Sequence, residues 1–275
     1  MKPFSIIVIH GIGTGTGFSR KGFSTPLKKL VAQAANTENF VWREFVWETA
    51  NDELDSRIGE IVRKVVKGPL LASLFGGDVM ASPWRKVVAA VGALVVREKV
   101  SDMVCKAVDL GLDFPWYLDS INGKKIRKAL RKKIRDVQKE SGTDVVLLAH
   151  SLGSVIAYDC LAESCNEEDC LPVAKLVTFG SPLGWTFELR DLDDRPEREF
   201  KTIGDIPWRN YYYKEDYVPL YKGLGGKRFG KEVENVLLPL PENVKPHESH
   251  GAYWKDASFA KEVLRLAGPS GKTGS

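Results

Sequence analysis

Cysteine and histidine are scarce in this chain of 275 residues, with four of each. Cys105, Cys160, Cys165 and Cys170 are too few for a disulfide framework in a chain this long, and no pair forms the CxxC of a zinc or redox site. Cys160 falls on an expected buried helix, where a free thiol acts as a small hydrophobe. The histidines and cysteines form no cluster with ligand spacing, so no metal is expected. A surplus of one charge is also missing: the net charge of +4 is too small to argue for nucleic acid. Long apolar runs are absent as well. The longest uncharged ones, 68–77 and 87–96, are about half the length of a membrane-spanning helix. The apolar stretch at 4–9 ends in His10-Gly11, without a small-residue cleavage site, and reads as a first strand rather than a signal peptide. A soluble, cytoplasmic protein is expected.

What the chain does have is the core of an α/β protein. Hydrophobic residues make up 43% of it, enough for a single domain over 1–275 that carries one sizeable insertion. Strand-like runs occur at 6–10, 40–47, 144–149, 175–179, 210–213 and 233–238. Near-continuous apolar runs such as Val145-Val146-Leu147-Leu148 fit strands buried on both faces, as in a parallel sheet. Helical segments between them predict a doubly wound, mostly parallel sheet. Residues 123–140 set Ile126, Leu130, Ile134 and Val137 on one helical stripe, and 257–267 form a helix capped by Asp256. Residues 52–118 are amphipathic, broken by Gly68-Pro69, Gly76-Gly77 and Ser82-Pro83, and far longer than a crossover of about a dozen residues. They read as an inserted helical cap. The small, polar tail 268–275 is expected to be disordered.

Chemistry enters with the run from Val145 through Ala149-His150-Ser151-Leu152-Gly153 to Tyr158. A buried strand enters a small-x-Ser-x-Gly turn and leaves as a helix. A nucleophile elbow requires this order: the strained turn lifts the serine hydroxyl clear of the sheet, and small flanking residues let strand and helix approach. Ala149 stands where the usual pattern has its first glycine. The second element, Val8-Ile9-His10-Gly11-Ile12-Gly13, supplies a loop able to come close to a substrate. The amide N–H groups of Ile12 and Leu152 are the expected oxyanion donors, with Gly11 and Gly13 lining the substrate. His10 is expected to support the loop, and His150 to pack under the elbow. A dinucleotide or phosphate loop fails on spacing, because position 16 is threonine, position 18 is phenylalanine, and Gly22 precedes Phe23 rather than lysine.

These motifs, with Phe179-Gly180-Ser181-Pro182-Leu183-Gly184, residues 210–219 and Ser249-His250-Gly251-Ala252-Tyr253-Trp254, resemble the lipase and esterase branch of the α/β-hydrolase fold. The likeness extends to cytosolic serine esterases related to inositol-deacylating and lecithin-acyltransferase enzymes. It implies a triad in the order Ser, acid, His, a site at the carboxyl edge of the sheet, and no metal or organic cofactor. The acid must lie just past a late strand, which admits Asp216 and Glu215 and leaves Asp205 at the wrong end. Asp216 matches the family position. The base must lie on a loop after the last strand, where both His247 and His250 stand; His250 matches the family position. The expected activity is cleavage of carboxylic esters with an apolar acyl group. Acyl transfer through the same triad, or a non-catalytic scaffold of the same fold, are the alternatives. Eight basic residues between positions 124 and 135 of helix 123–140 suit a solvated face or peripheral contact with an anionic membrane surface. Without interleaved aromatics they do not suit nucleic acid.

Overall fold

Strands β1 (Ser5–Ile9) and β3 (Val145–His150) are buried at every position, which their unbroken apolar sequence allows and a sheet covered on both faces demands. In the computed structural model, which describes residues 4–11, 22–37, 39–47, 120–165, 170–184, 202–216, 218–219, 223–225, 229 and 232–267, these two are neighbouring interior strands of a six-stranded sheet. The others are β2 (Val41–Phe45), β4 (Val173–Phe179), β5 (Trp208–Tyr213) and β6 (Glu234–Leu238). The order is β2-β1-β3-β4-β5-β6 and every neighbouring pair is parallel. All six lie within two residues of the runs expected from the sequence.

Alternation along β1 and β3 divides the core between two faces. Ile7, Ile9, Val145 and Leu147 pack with helices α2 (Ser120–Ser141) and α3 (Leu152–Cys165). Ile6, Val8, Val146 and Leu148 pack with α1 (Thr25–Ala35) and with a C-terminal helix over Ala257–Ala267. The stripe read on α2 is the buried one, with Ile126, Leu130, Ile134 and Val137 at most 1% exposed. Asp256 caps the C-terminal helix as expected, its Oδ1 accepting the N–H groups of Ser258 at 2.7 Å and Phe259 at 3.2 Å.

Helix α1 is an addition to the sequence reading. Its signals are short: Pro26 in the first turn, Leu27 and Val31 four apart, and Asn36 in the left-handed region at φ 49° ending it. The Ser24 side chain does not cap it. Instead the Glu44 carboxylate on β2 accepts the N–H groups of Gly22 at 2.6 Å and Ser24 at 2.8 Å.

Strand order reverses between β1 and β3: the chain after β1 turns to one side, and the chain entering β3 returns on the other. Connections from the two carboxyl ends diverge there and open a crevice, the usual ligand position in such sheets. Residue 11 follows β1 and residue 151 follows β3, so both lie at this point. The expected insertion 52–118 and tail 268–275 lie outside the described residues. Among the described residues, no helix is long and apolar enough to cross a membrane.

Candidate active site

Ser151 is the single residue between β3 and α3, and its φ of 52° is left-handed. That conformation costs a non-glycine residue about 1–2 kcal/mol, so the surroundings must hold it. Its N–H donates to Phe179 O at 3.1 Å, anchoring the turn to the end of β4. Two glycines permit the close packing. A Cβ on Gly153 would stand 2.5 Å from His10 O and 2.7 Å from Ile9 O, so α3 can begin against the end of β1 only without a side chain there. A Cβ on Gly11 would stand 2.4 Å from Ser151 Cβ and 2.9 Å from its Oγ. The loop after β1 therefore touches the serine itself.

Asp216 follows β5 and is fully buried. A buried carboxylate needs donors, and three groups supply them. Val218 N–H donates to Oδ1 at 3.0 Å and Tyr253 O–H to Oδ2 at 2.8 Å. His250 Nδ1 lies 3.1 Å from both oxygens. Because a carboxylate oxygen accepts, Nδ1 carries the proton in this pair.

His250 was expected on a loop; it lies in a one-turn helix, α4 (Ser249–Ala252). The C-terminal helix Ala257–Ala267 is accordingly α5. The helical turn is useful, because residues three apart share a face and Tyr253 meets the same carboxylate as His250. Ser249 Oγ donates to Glu215 O at 3.1 Å and ties this turn to the loop of the acid. Gly180, at φ +56°, lies close beneath: a Cβ there would stand 3.0 Å from His250 Nδ1 and Cε1 and 3.1 Å from Asp216 Oδ2.

The structure thus brings Asp216 and His250 into one hydrogen-bonded pair, and their neighbours connect them to Ser151. Gly180 follows the residue that accepts the Ser151 N–H, and His150, beside Ser151 in sequence, packs tilted against His250 with ring centroids 4.5 Å apart. Burial first, and the neighbouring His250 second, push His150 well below the usual histidine pKa. Neutral His150 donates through Nε2 to the His250 carbonyl at 2.9 Å. It packs beside Phe179, Tyr253 and Trp254, as expected for a residue under the elbow. His10 is likewise buried, stacked on Trp47 and 2.6 Å from Gly11 O through Nδ1.

Of the other candidates, His247 is exposed in the turn Pro246–Glu248, and Asp205 precedes β5 at the opposite edge. Glu215 contributes its backbone carbonyl to Ser249. Ile12 and Gly13 lie outside the described residues; Leu152 is fully buried as the first residue of α3. Cys160 is buried on α3, its thiol pushed up to about 12 mainly by desolvation. Sequence reading gave no role to Tyr253 or Gly180. Tyrosine at the third position after His250, in a stretch too short for a strand, was a usable signal for the first. Among the described residues, no group of His, Cys, Asp and Glu could hold a metal ion. No protein-family model matches the chain, and no curated protein matches it.

Proposed function

We propose that the chain is a serine hydrolase of the α/β-hydrolase type that cleaves carboxylic esters through Ser151, His250 and Asp216. One observation carries the reading. A histidine held by Nδ1 against a buried carboxylate packs on the ring of His150, the residue before a serine in a left-handed turn between strand and helix, where the strand order reverses. In this mechanism His250 Nε2 takes the Ser151 proton as Oγ attacks the ester carbonyl. The Leu152 N–H faces the developing oxyanion with Ile12 as its partner, since first-turn N–H groups have no acceptor within their own helix. Asp216 holds the ring and stabilises the imidazolium. His250 then protonates the leaving alcohol, and water, activated by the same nitrogen, releases the acid. The chemistry uses protein groups alone.

The length of 52–118 supports a helical cap whose apolar runs cover the acyl chain of the substrate. Scarce cysteine supports a cytoplasmic location. The surface of α2 favours peripheral contact with anionic membrane. Lys124, Lys125, Lys128, Lys132 and Lys139 are exposed, and only Lys132 is seen to pair on its own helix, with Asp136 at 2.6 Å. Because α2 turns directly into β3, it runs antiparallel to the strands, so Lys124, Lys125 and Lys128 lie toward the carboxyl edge that carries Ser151. The test is a fluorophosphonate probe with a series of p-nitrophenyl esters. Label on Ser151, none on Ser151→Ala, and kcat/KM rising with acyl length are expected. An unlabelled wild-type protein without esterase activity refutes the reading.

A further inference from the structure

Two buried serines behind the elbow have no part in the triad. Ser154 and Ser181 are both fully buried. Ser154 Oγ donates to Ser151 O at 2.6 Å, and Ser154 N–H reaches the same oxygen at 2.9 Å. Ser154 Oγ also lies 2.7 Å from Ser181 Oγ, which accepts the N–H of Leu183 at 3.2 Å. Proton counting fixes the direction. A carbonyl oxygen can only accept, so the one hydroxyl proton of Ser154 is committed to Ser151 O. Ser181 must therefore donate to Ser154. The bonds run one way, from the Leu183 amide through Ser181 and Ser154 to the carbonyl of the nucleophile.

That carbonyl belongs to the same peptide group as the Leu152 N–H. Hydrogen bonds on a peptide oxygen draw electrons from its nitrogen and strengthen the N–H as a donor, by about 10–30% per bond. They also fix the peptide plane, which Ser151 already holds in an unfavourable turn. We infer that Ser154, supported by Ser181, is a positioning residue for the oxyanion hole: it orients and polarises the Ser151–Leu152 peptide so that Leu152 N–H is set for the transition state before substrate arrives. The inference rests on the serine-hydrolase reading. It assigns to the small residue after Gly153 a task besides letting strand and helix approach.

Its size follows from two scales. Losing one oxyanion donor costs about 10²–10³ in kcat. Weakening that donor by the fraction one bond supplies then costs between a fifth and nine tenths of a decade, about two- to eight-fold. The effect falls on kcat rather than KM, because the oxyanion exists only in the transition state.

The experiment compares wild type, Ser154→Ala and Ser181→Ala, each rate divided by the concentration of sites titrated with a fluorophosphonate, so that misfolded protein does not count. For Ser154→Ala, kcat per site falls about two- to eight-fold on p-nitrophenyl butyrate while KM holds. Affinity for a trifluoromethyl ketone, whose adduct places an oxyanion in the hole, falls by a similar factor. Ser181→Ala, which keeps the bond to the carbonyl and removes the donor behind it, gives a smaller loss of the same kind and covers the case in which Ser154→Ala does not fold. An unchanged kcat per site in both variants, or a loss confined to KM, overturns the inference while leaving an active, labelled wild type intact. A wild type that takes no label overturns the hydrolase reading and this inference with it.

Discussion

Gly180→Ala separates backbone strain from pressure on the site, because the structure supplies its control. At Gly180 the backbone is left-handed, φ +56°, and the new methyl would stand 3.0 Å from two atoms of the His250 ring and 3.1 Å from Asp216 Oδ2. At Gly142, between α2 and β3, φ is +67° and nothing lies within 4 Å of the same methyl. Left-handed strain costs about 1–2 kcal/mol, and loss of glycine's freedom in the unfolded chain offsets about 0.4–1 kcal/mol. Both variants should therefore lose about 1 kcal/mol, or about 2–4 °C in Tm. Only Gly180→Ala must also move His250 or Asp216, by roughly half an ångström to reach ordinary contact. If a 1 Å misplacement can cost about 10²-fold, that displacement should lower kcat about tenfold. The measurements are thermal unfolding by circular dichroism and kcat per fluorophosphonate-titrated site. If Gly180→Ala keeps the kcat of Gly142→Ala, the His250–Asp216 pair above Gly180 is not the reacting one.

Ser151→Ala and His250→Ala should each lower kcat by about 10⁴–10⁶ with unchanged circular dichroism, whereas His247→Ala stays active; the reverse pattern for the two histidines reassigns the base. Asp216→Asn should cost about 10⁴ by favouring the wrong ring tautomer, and Asp205→Asn little, both read as kcat on the same ester. Because burial holds His150 below its unfolded pKa, the unfolded chain binds a proton first as pH falls through about 6.5. Stability present above that pH is then lost at about 1.4 kcal/mol per unit down to the folded value. Urea unfolding between pH 7 and 5 should show a steeper loss in wild type than in His150→Gln; equal slopes assign the pH dependence elsewhere. Reversing Lys124, Lys125 and Lys128 to Glu should weaken sedimentation with phosphatidylserine vesicles and leave hydrolysis of a soluble ester unchanged, and undiminished sedimentation would refute the membrane face of α2.

Strands, the strand–turn–helix at Ser151 and the helices α2 and α5 were legible because each depends on neighbours in sequence. Apolar continuity marked β1 and β3, the three-to-four spacing marked α2, and Asp256 before Ala257 marked the start of α5. Helix α1 escaped notice since its start is held by Glu44, a residue of the next strand, and its own cap is silent. The pairing of Asp216 with His250 could be narrowed by position after β5 and β6, yet Glu215 and His247 passed the same test. The family resemblance favoured Asp216 and His250, and the tertiary placement adds the hydrogen bond between them. Gly180 escaped because it comes from the end of β4, where nothing local announces its approach to the pair, whereas the spacing of Tyr253 from His250 was a local signal left unread.

The placement of the site between β1 and β3 also has a consequence for the route by which the protein folds. Ile9 pairs with Ala149, so the crevice closes only after a chain segment spanning about half the protein has been looped back. Each doubling of such a loop adds only about 0.6 kcal/mol of closure entropy, but distant pairing of this kind is slow to form. Strands β3 to β6 and their helices lie close in sequence and can assemble first, with Asp216 and His250 already in contact. Gly11 reaches Ser151 only when β1 docks. On refolding from urea, helical signal should return before the capacity to take a fluorophosphonate label. The protein then passes through a stage that carries Ser151, Asp216 and His250 yet lacks the β1 side of the crevice.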